Sequence, residues 1–215
     1  HDIKKIANLL PDRRQNLMFT ATFSNPFRKL AKEMADKAIE ISVTTDGEAG
    51  ENIEHYCHPV DKSRKAELLI ELIETQNWDQ ALVFTRTKHG ADRLQKQLEK
   101  VEISAKAIHG NKTQNNRMKA LDAFKNNRVK ILVATDVAAR GIDIKKMSQV
   151  INFDVPTVAK DYIHRIGRTG RGGDKGKAIT LVSADEFRLL SDIEKLLSQK
   201  LERVEIEGFE PEHVV

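Results

Sequence analysis

The run HRIGRTGR, His164 to Arg171, gathers three arginines and two glycines within eight residues. A guanidinium is planar, permanently charged and carries a fork of donors that matches the oxygens of a phosphate group. Glycine lets the backbone turn sharply and come close to a ligand. Arg168 and Arg171 each follow a glycine, which places them where a helix gives way to a loop and turns two guanidiniums toward an anion. A lone R-x-x-R is more often a solvated helix end. The polar residues elsewhere in the chain reverse those odds.

Two further runs carry similar chemistry. In VATDVAARGID, 133–143, an apolar stretch delivers Thr135 and Asp136 to its end, and Arg140-Gly141 then make a turn. Thr135 and nearby backbone N–H groups suit a nucleic-acid phosphate, and Asp143 suits a ribose hydroxyl, as acidic residues do in other nucleotide folds. Alone, Asp136 and Asp143 read equally well as caps and turn residues. In AIHGNKTQNNR, 107–117, His109-Gly110 is a turn, Asn111 or Thr113 can cap the following helix, and Gln114 and Arg117 share one face of it. The positive N-terminus of such a helix can hold a phosphate. His109 alone reads as structural.

Two other runs mimic ligand sites. GRGGDKGKA, 170–178, looks like a phosphate loop, but Gly176-Lys177 has Arg171 five residues upstream and Ala178 after it, so the P-loop spacing fails. It reads as a turn into a strand. In ITLVSADE, Ser183 and Glu186 stand three apart ahead of a helix, the pattern of a capping box rather than of a metal site. Arginines that face a cleft without a triphosphate loop or magnesium ligands make half a site. Arginine fingers work in this way: one domain holds nucleotide and metal, and another inserts cations against the transferring phosphoryl group.

The chain has 215 residues, with Lys+Arg 36 against Asp+Glu 32 and a net charge of +4. That mild excess is compatible with a polyanionic partner and is weak evidence by itself. The single cysteine, Cys57, excludes an internal disulfide and a cysteine zinc cluster. It reads as a buried inert thiol, and a reducing, cytoplasmic compartment fits. No apolar run is long enough to span a membrane, and no signal peptide opens the chain. The start at His1 is expected of a piece of a longer protein. Trp78 and the phenylalanines read as packing, without the aromatic platform of single-strand binders.

These residues need elements to position them. Val-, Ile- and Leu-rich runs at 53–60, 81–85, 105–109, 130–135, 149–153 and 178–183 alternate with helical periodicity at 62–75, 88–100, 114–125, 159–166 and 185–199. That alternation predicts a parallel sheet covered on both faces, with every strand's carboxyl end on one edge. Thr85-Arg86-Thr87, His109-Gly110-Asn111, Thr135-Asp136 and Asp154 then share that edge, where open α/β sheets bind ligands. Residues 1–42 hold a helix, a strand at 16–20 and another helix, too little for a core of their own. Residues 43–52 read as a linker, 53–200 as the main domain, and 201–215 as an acidic tail, docked or frayed.

FTATF at 19–23, ALVFTRTK at 81–88, the Gln114/Arg117 pair, VATDVAARGID and HRIGRTGR follow the order and spacing of the conserved motifs of DEAD-box RNA helicases. The chain resembles that family over nearly its whole length, and most of all the bacterial RhlE-type branch. The opening histidine of HRIGRTGR separates it from the DEAH relatives, which typically begin with Gln. The resemblance implies a second RecA-like domain, a three-layer αβα fold with a mainly parallel sheet, preceded by the helix–strand–helix end of the first. The P-loop and DEAD box would lie upstream of His1, so ATP and Mg2+ would be held mainly by that first domain. Thr20-Ala21-Thr22 stands where the family has S-A-T, keeping both hydroxyls.

By the same resemblance Arg168 and Arg171 would touch the γ-phosphate, Arg171 as the stronger finger. His164 and Arg165 would couple the cleft to the first domain, and Thr20 and Thr22 would link hydrolysis to strand separation. Gly141 and Asp143 would serve the ribose. Arg86, Gly110, Gln114, Arg117 and Thr135 would grip RNA phosphates. The partners implied are RNA and the first RecA-like domain, with no membrane. A DNA translocase built on the same second domain, an RNA-binding module without catalysis, and a purely structural scaffold remain as alternatives.

Overall fold

The computed structural model describes residues 2–20, 25–35, 38–41, 53–139, 147–170 and 175–213. The chain divides into two units, His1–Thr45 and Asp46–Val215. The expected linker at 43–52 lies outside the described residues.

Among its described residues the first unit has two helices, α1 (Asp2–Ala7) and α2 (Asn25–Met34), and neither buries a residue. Its contacts are polar: Lys4 pairs with Glu33 at 2.8 Å, and Asn16 Nδ2 donates to the Met34 carbonyl at 2.7 Å. The strand expected at 16–20 does not form. A strand exists only through its ladder, and no described segment pairs with these residues. Leu17 and Phe19 accordingly stay exposed.

The second unit alternates strand and helix throughout. In order it contains β1 (Ile53–Pro59), α3 (Lys65–Thr75), β2 (Ala81–Phe84), α4 (Lys88–Lys100), β3 (Ala105–Ile108), α5 (Gln114–Lys125) and β4 (Ile131–Ala134). Then come α6 (Asp136–Ala139), β5 (Gln149–Asn152), α7 (Ala159–Ile166), β6 (Gly176–Val182), α8 (Phe187–Leu197) and β7 (Glu202–Arg203). Single 3-10 turns, Lys62–Arg64 and Ala184–Glu186, lead into α3 and α8. The seven strands form one sheet in the order β3-β4-β2-β5-β6-β1-β7, and every pairing is parallel. The RecA-like α/β architecture is therefore present.

The strand sequences are apolar on both sides because both faces are covered. In β2, Ala81 and Val83 point to the cluster under α3 and α4, with Leu68, Leu72, Leu94 and Leu98. Leu82 and Phe84 point the other way, to Leu121 and Phe124 of α5. Further along that second face, Cys57, Ala178 and Val182 meet Tyr162 and Ile166 of α7 and Leu190 and Ile193 of α8. The period of two along each strand sets which helix it touches. Thr87 and Thr113 cap α4 and α5, their hydroxyls accepting from Gly90 N at 2.9 Å and Asn116 N at 3.3 Å. Cys57 is fully buried, and burial pushes its thiol up to about 11.

The acidic C-terminal segment is docked. Beside β7, Val204 N donates to the Cys57 carbonyl at 2.9 Å, and His58 Nδ1 donates to the Val204 carbonyl at 2.6 Å. Phe209 sinks into the α3/α4 cluster, with the Arg64 guanidinium 4.4 Å above its ring. Arg64 also donates to the Gly208 carbonyl at 2.6 Å. Phe209→Ala should lower the unfolding free energy by about 3 kcal/mol, read from urea denaturation. A loss below about 1 kcal/mol would show that the segment lies on the core without contributing to it.

Candidate functional site

Four adjacent strands, β3, β4, β2 and β5, deliver their carboxyl ends side by side. Their loops carry His109-Gly110, Thr135-Asp136, Thr85-Arg86-Thr87 and Asp154, as the apolar runs predict. The main chain ties these ends together. Thr135 N donates to the Ile108 carbonyl, and Phe153 N and Asp154 N both donate to the Phe84 carbonyl. The Asp154 carboxylate takes the Arg86 N–H at 2.8 Å.

Arg165 organises the centre of this edge. It is 1% exposed and comes from α7. Its Nε and Nη2 grip both oxygens of Asp136 at 2.6 and 2.8 Å, and Nη1 donates to Asn152 Oδ1 at 3.0 Å and to the Asp154 carbonyl at 2.7 Å. The Phe84 ring lies 5.1 Å from the guanidinium. This fork joins α7 to the ends of β4, β5 and β2. Only arginine has donors enough, in a fixed plane, to hold a carboxylate bidentately and two further acceptors.

Arg165 also forms the floor of a small recess lined by Phe84, Asp136, Ala139, Asp161, His164 and Arg168. His164 is exposed and Arg168 half-buried. Thr169, the next residue, is buried and donates to the Met147 carbonyl. A Cβ on Gly176 would come within 2.1 Å of Thr169 Oγ1 and 2.4 Å of Gly170 N. The start of β6 must therefore be glycine for Thr169 and Gly170 to lie against it. Arg171, Gly141, Asp143 and Thr22 lie outside the described residues. Thr20 is exposed in the first unit.

The second half of the edge is basic. Arg117 Nη1 donates to Gln114 Oε1, and Nη2 donates to the Ala138 carbonyl, each at 3.3 Å. The Thr135 carbonyl accepts from Ala138 N and Ala139 N, both at 3.0 Å, so it starts α6. Thr135, Gln114 and Arg117 are thereby brought together around α6. A Cβ on Gly110 would meet nothing within 4 Å, so the protein's own packing does not require glycine there. An incoming ligand close to the backbone would. His109 Nε2 bonds Asp92 Oδ1 at 3.0 Å, while its Nδ1 is buried without a hydrogen-bond partner among the described residues. Such an unpaired atom costs about 1–3 kcal/mol.

Arg86, another expected phosphate ligand, is engaged within the domain. Its Nη2 donates to Glu186 Oε1 at 2.7 Å and to the Val155 carbonyl at 3.3 Å. Glu186 is 3% exposed and also accepts from Lys65, Val155 N and both Ser183 N and Oγ. The expected capping box is formed, yet the carboxylate is also the hub of a buried ion cluster. Lys65 reaches the carbonyls of Phe153 at 3.0 Å and Leu181 at 2.8 Å. Burial pulls the Lys65 ammonium's pKa down, and Glu186 opposes that pull. Sequence reasoning missed this cluster, although a signal exists. Lys65 falls on the buried stripe with Leu68, Leu69 and Leu72, where a lysine needs a partner.

Comparison with known proteins agrees with this geometry. Residues 64–173 match the family model described as helicase conserved C-terminal domain. DEAD-box ATP-dependent RNA helicase RhpA of Helicobacter pylori is 38% identical over 95% of this chain and 42% of its own length. ATP-dependent RNA helicase DbpA of Bacillus subtilis is 38% identical over 94% of this chain and 42% of its own length. The chain thus spans about two fifths of these relatives. Among solved structures, Escherichia coli DEAD-box protein SrmB, bound to the regulator of ribonuclease activity A, superposes with a TM-score of 0.71 at 34% identity. That match covers 77% of this chain and 97% of that one. Saccharomyces cerevisiae Dbp5 bound to RNA and ADP BeF3 superposes with a TM-score of 0.78 at 33% identity, over 94% of this chain and 54% of that one. The chain belongs to the DEAD-box RNA helicase family, and it carries that family's conserved C-terminal helicase domain.

Proposed function

We propose that this chain is the second half of a cytoplasmic ATP-dependent RNA helicase, of RhlE type by its motif set. It supplies cations to a nucleotide held by the first RecA-like domain and a phosphate-gripping edge to RNA. One observation carries the reading. Arg165 clamps Asp136, so α7, which carries the first residues of HRIGRTGR, is tied to the Thr135 end of β4. A cation site and a phosphate edge on one body can report to each other.

In this reading Arg168 and Arg171 stabilise charge developing on the γ-phosphoryl group. Gly141 and Asp143 take the ribose. Gly110, Gln114, Arg117 and Thr135 hold RNA phosphates without reading bases, and Arg86, engaged by Glu186, contributes its remaining donors. His164 and Arg165 transmit closure to the first domain, together with Thr20 and Thr22. Among the described residues no group of three or more His, Cys, Asp or Glu side chains is arranged to hold a metal ion. Mg2+ and the triphosphate are assigned to the first domain, and no step here is routed through the metal. No described helix is long and apolar enough to cross a membrane.

Four outcomes test the reading. The purified chain should show no ATPase activity with or without RNA; RNA-stimulated turnover by it alone would refute the half-site. In the full-length protein Arg171→Ala should cost about 10³–10⁵-fold in turnover, and a loss under about tenfold would remove the finger role. RNA, and not DNA of the same length, should stimulate the intact ATPase. Arg165→Lys keeps the charge but loses the fork. It should lower RNA stimulation by about tenfold or more while the KM for ATP moves less than about twofold. A parallel loss in both would make Arg165 a general scaffold.

A further inference from the structure

The turn between β3 and α5 is held from one side by a single carboxylate. Asp92 Oδ1, on α4, accepts from His109 Nε2 at 3.0 Å and from Lys112 Nζ at 2.9 Å. Lys112 N closes the same turn by donating to the His109 carbonyl at 3.0 Å. The first and last residues of the turn are thus pinned to one oxygen. Gly110 and Asn111, between them, are exposed. Lys88 Nζ, from the start of α4, steadies Asn111 by donating to its Oδ1 at 3.2 Å, and Thr113 caps α5 immediately beyond.

We infer that Asp92 and His109 are a positioning pair that holds the Gly110–Asn111 peptide ready for an RNA phosphate. The inference rests on the reading of this edge as the RNA face. His109 is 2% exposed, and its Nδ1 has no hydrogen-bond partner among the described residues while Nε2 bonds Asp92. A side chain serving packing alone is better apolar, because it then leaves no buried atom unpaired. The Nε2 bond is what the imidazole adds. The choice of a carboxylate beside a phosphate-binding edge also becomes intelligible. Burial opposes ionisation of Asp92, yet the hydrogen bonds from Lys112 and His109 hold its carboxyl below the ordinary value. Its charge is committed to two donors of the turn, and the Gly110 and Asn111 N–H groups are left to the ligand. A backbone donor set in a pinned turn binds phosphate without first ordering a loop.

The test uses the full-length protein, a fluorescein-labelled single-stranded RNA and a non-hydrolysable ATP analogue, read by anisotropy beside steady-state ATPase kinetics. His109→Leu and Asp92→Ala should each weaken RNA binding by about tenfold, with kcat at saturating RNA and the KM for ATP within about twofold. His109→Gln, which keeps a donor toward Asp92, should recover most of the affinity. Asp92 lies on the surface of α4, where alanine is a good helix former, so that variant folds even if the buried substitution does not. RNA affinity unchanged within about twofold in Asp92→Ala, or equal losses in RNA binding, kcat and the KM for ATP, overturns the pair's positioning role. If the unmodified protein binds no RNA, the reading of the edge falls and the inference with it. If the unmodified protein binds and Asp92→Ala binds equally, the inference falls alone.

Discussion

The structure turns on the burial of the Arg165 guanidinium. A charge placed among strand ends is costly unless every neighbour answers it. Asp136, Asn152 and the Asp154 carbonyl do so, and Phe84 lies beside the charged group. Once that position is set, α7 has one place to sit, and the recess with His164 and Arg168 follows. The Glu186 cluster has the same role further along the sheet, binding the starts of α3 and α8 to the loop after β2. Two ion clusters among the described residues thus hold together the carboxyl-end edge of the sheet.

These clusters engage arginines that the sequence offers as ligand candidates. Arg165 and Arg86 stand in motifs that read alike in the sequence, yet their guanidiniums are engaged within the domain. Arg117 is intermediate, holding Gln114 and the Ala138 carbonyl. A basic composition therefore overstates the free charge of the edge. Which guanidiniums tie the strand ends together is told only by their three-dimensional partners.

The alternating apolar runs made the sheet legible, because burial on both faces leaves no room for polar residues within a strand. The strand-end loops were legible for the same reason in reverse. The strand expected at 16–20 was not, since an apolar run forms a strand only where another edge receives it. The Lys65–Glu186 pair joins residues far apart in the chain, and Glu186 already had a sufficient local explanation as a cap. The Asp92–His109 bond was hidden similarly. His109 carried no sign of its partner, which lies on the previous helix. Long-range polar contacts leave little periodic trace, and they make up most of what shapes this site.

The sheet's two outermost strands have a further consequence. β3 is four residues long and carries Lys106 exposed at its middle, and β7 contributes only two residues before the chain turns toward Phe209. An open parallel sheet invites another chain to extend it, and short or charged margins discourage that addition. A domain with a broad exposed strand-end edge is thereby guarded against stacking with itself. Its docked C-terminal segment acts as a selvedge, finishing the fabric where it would otherwise unravel into aggregates.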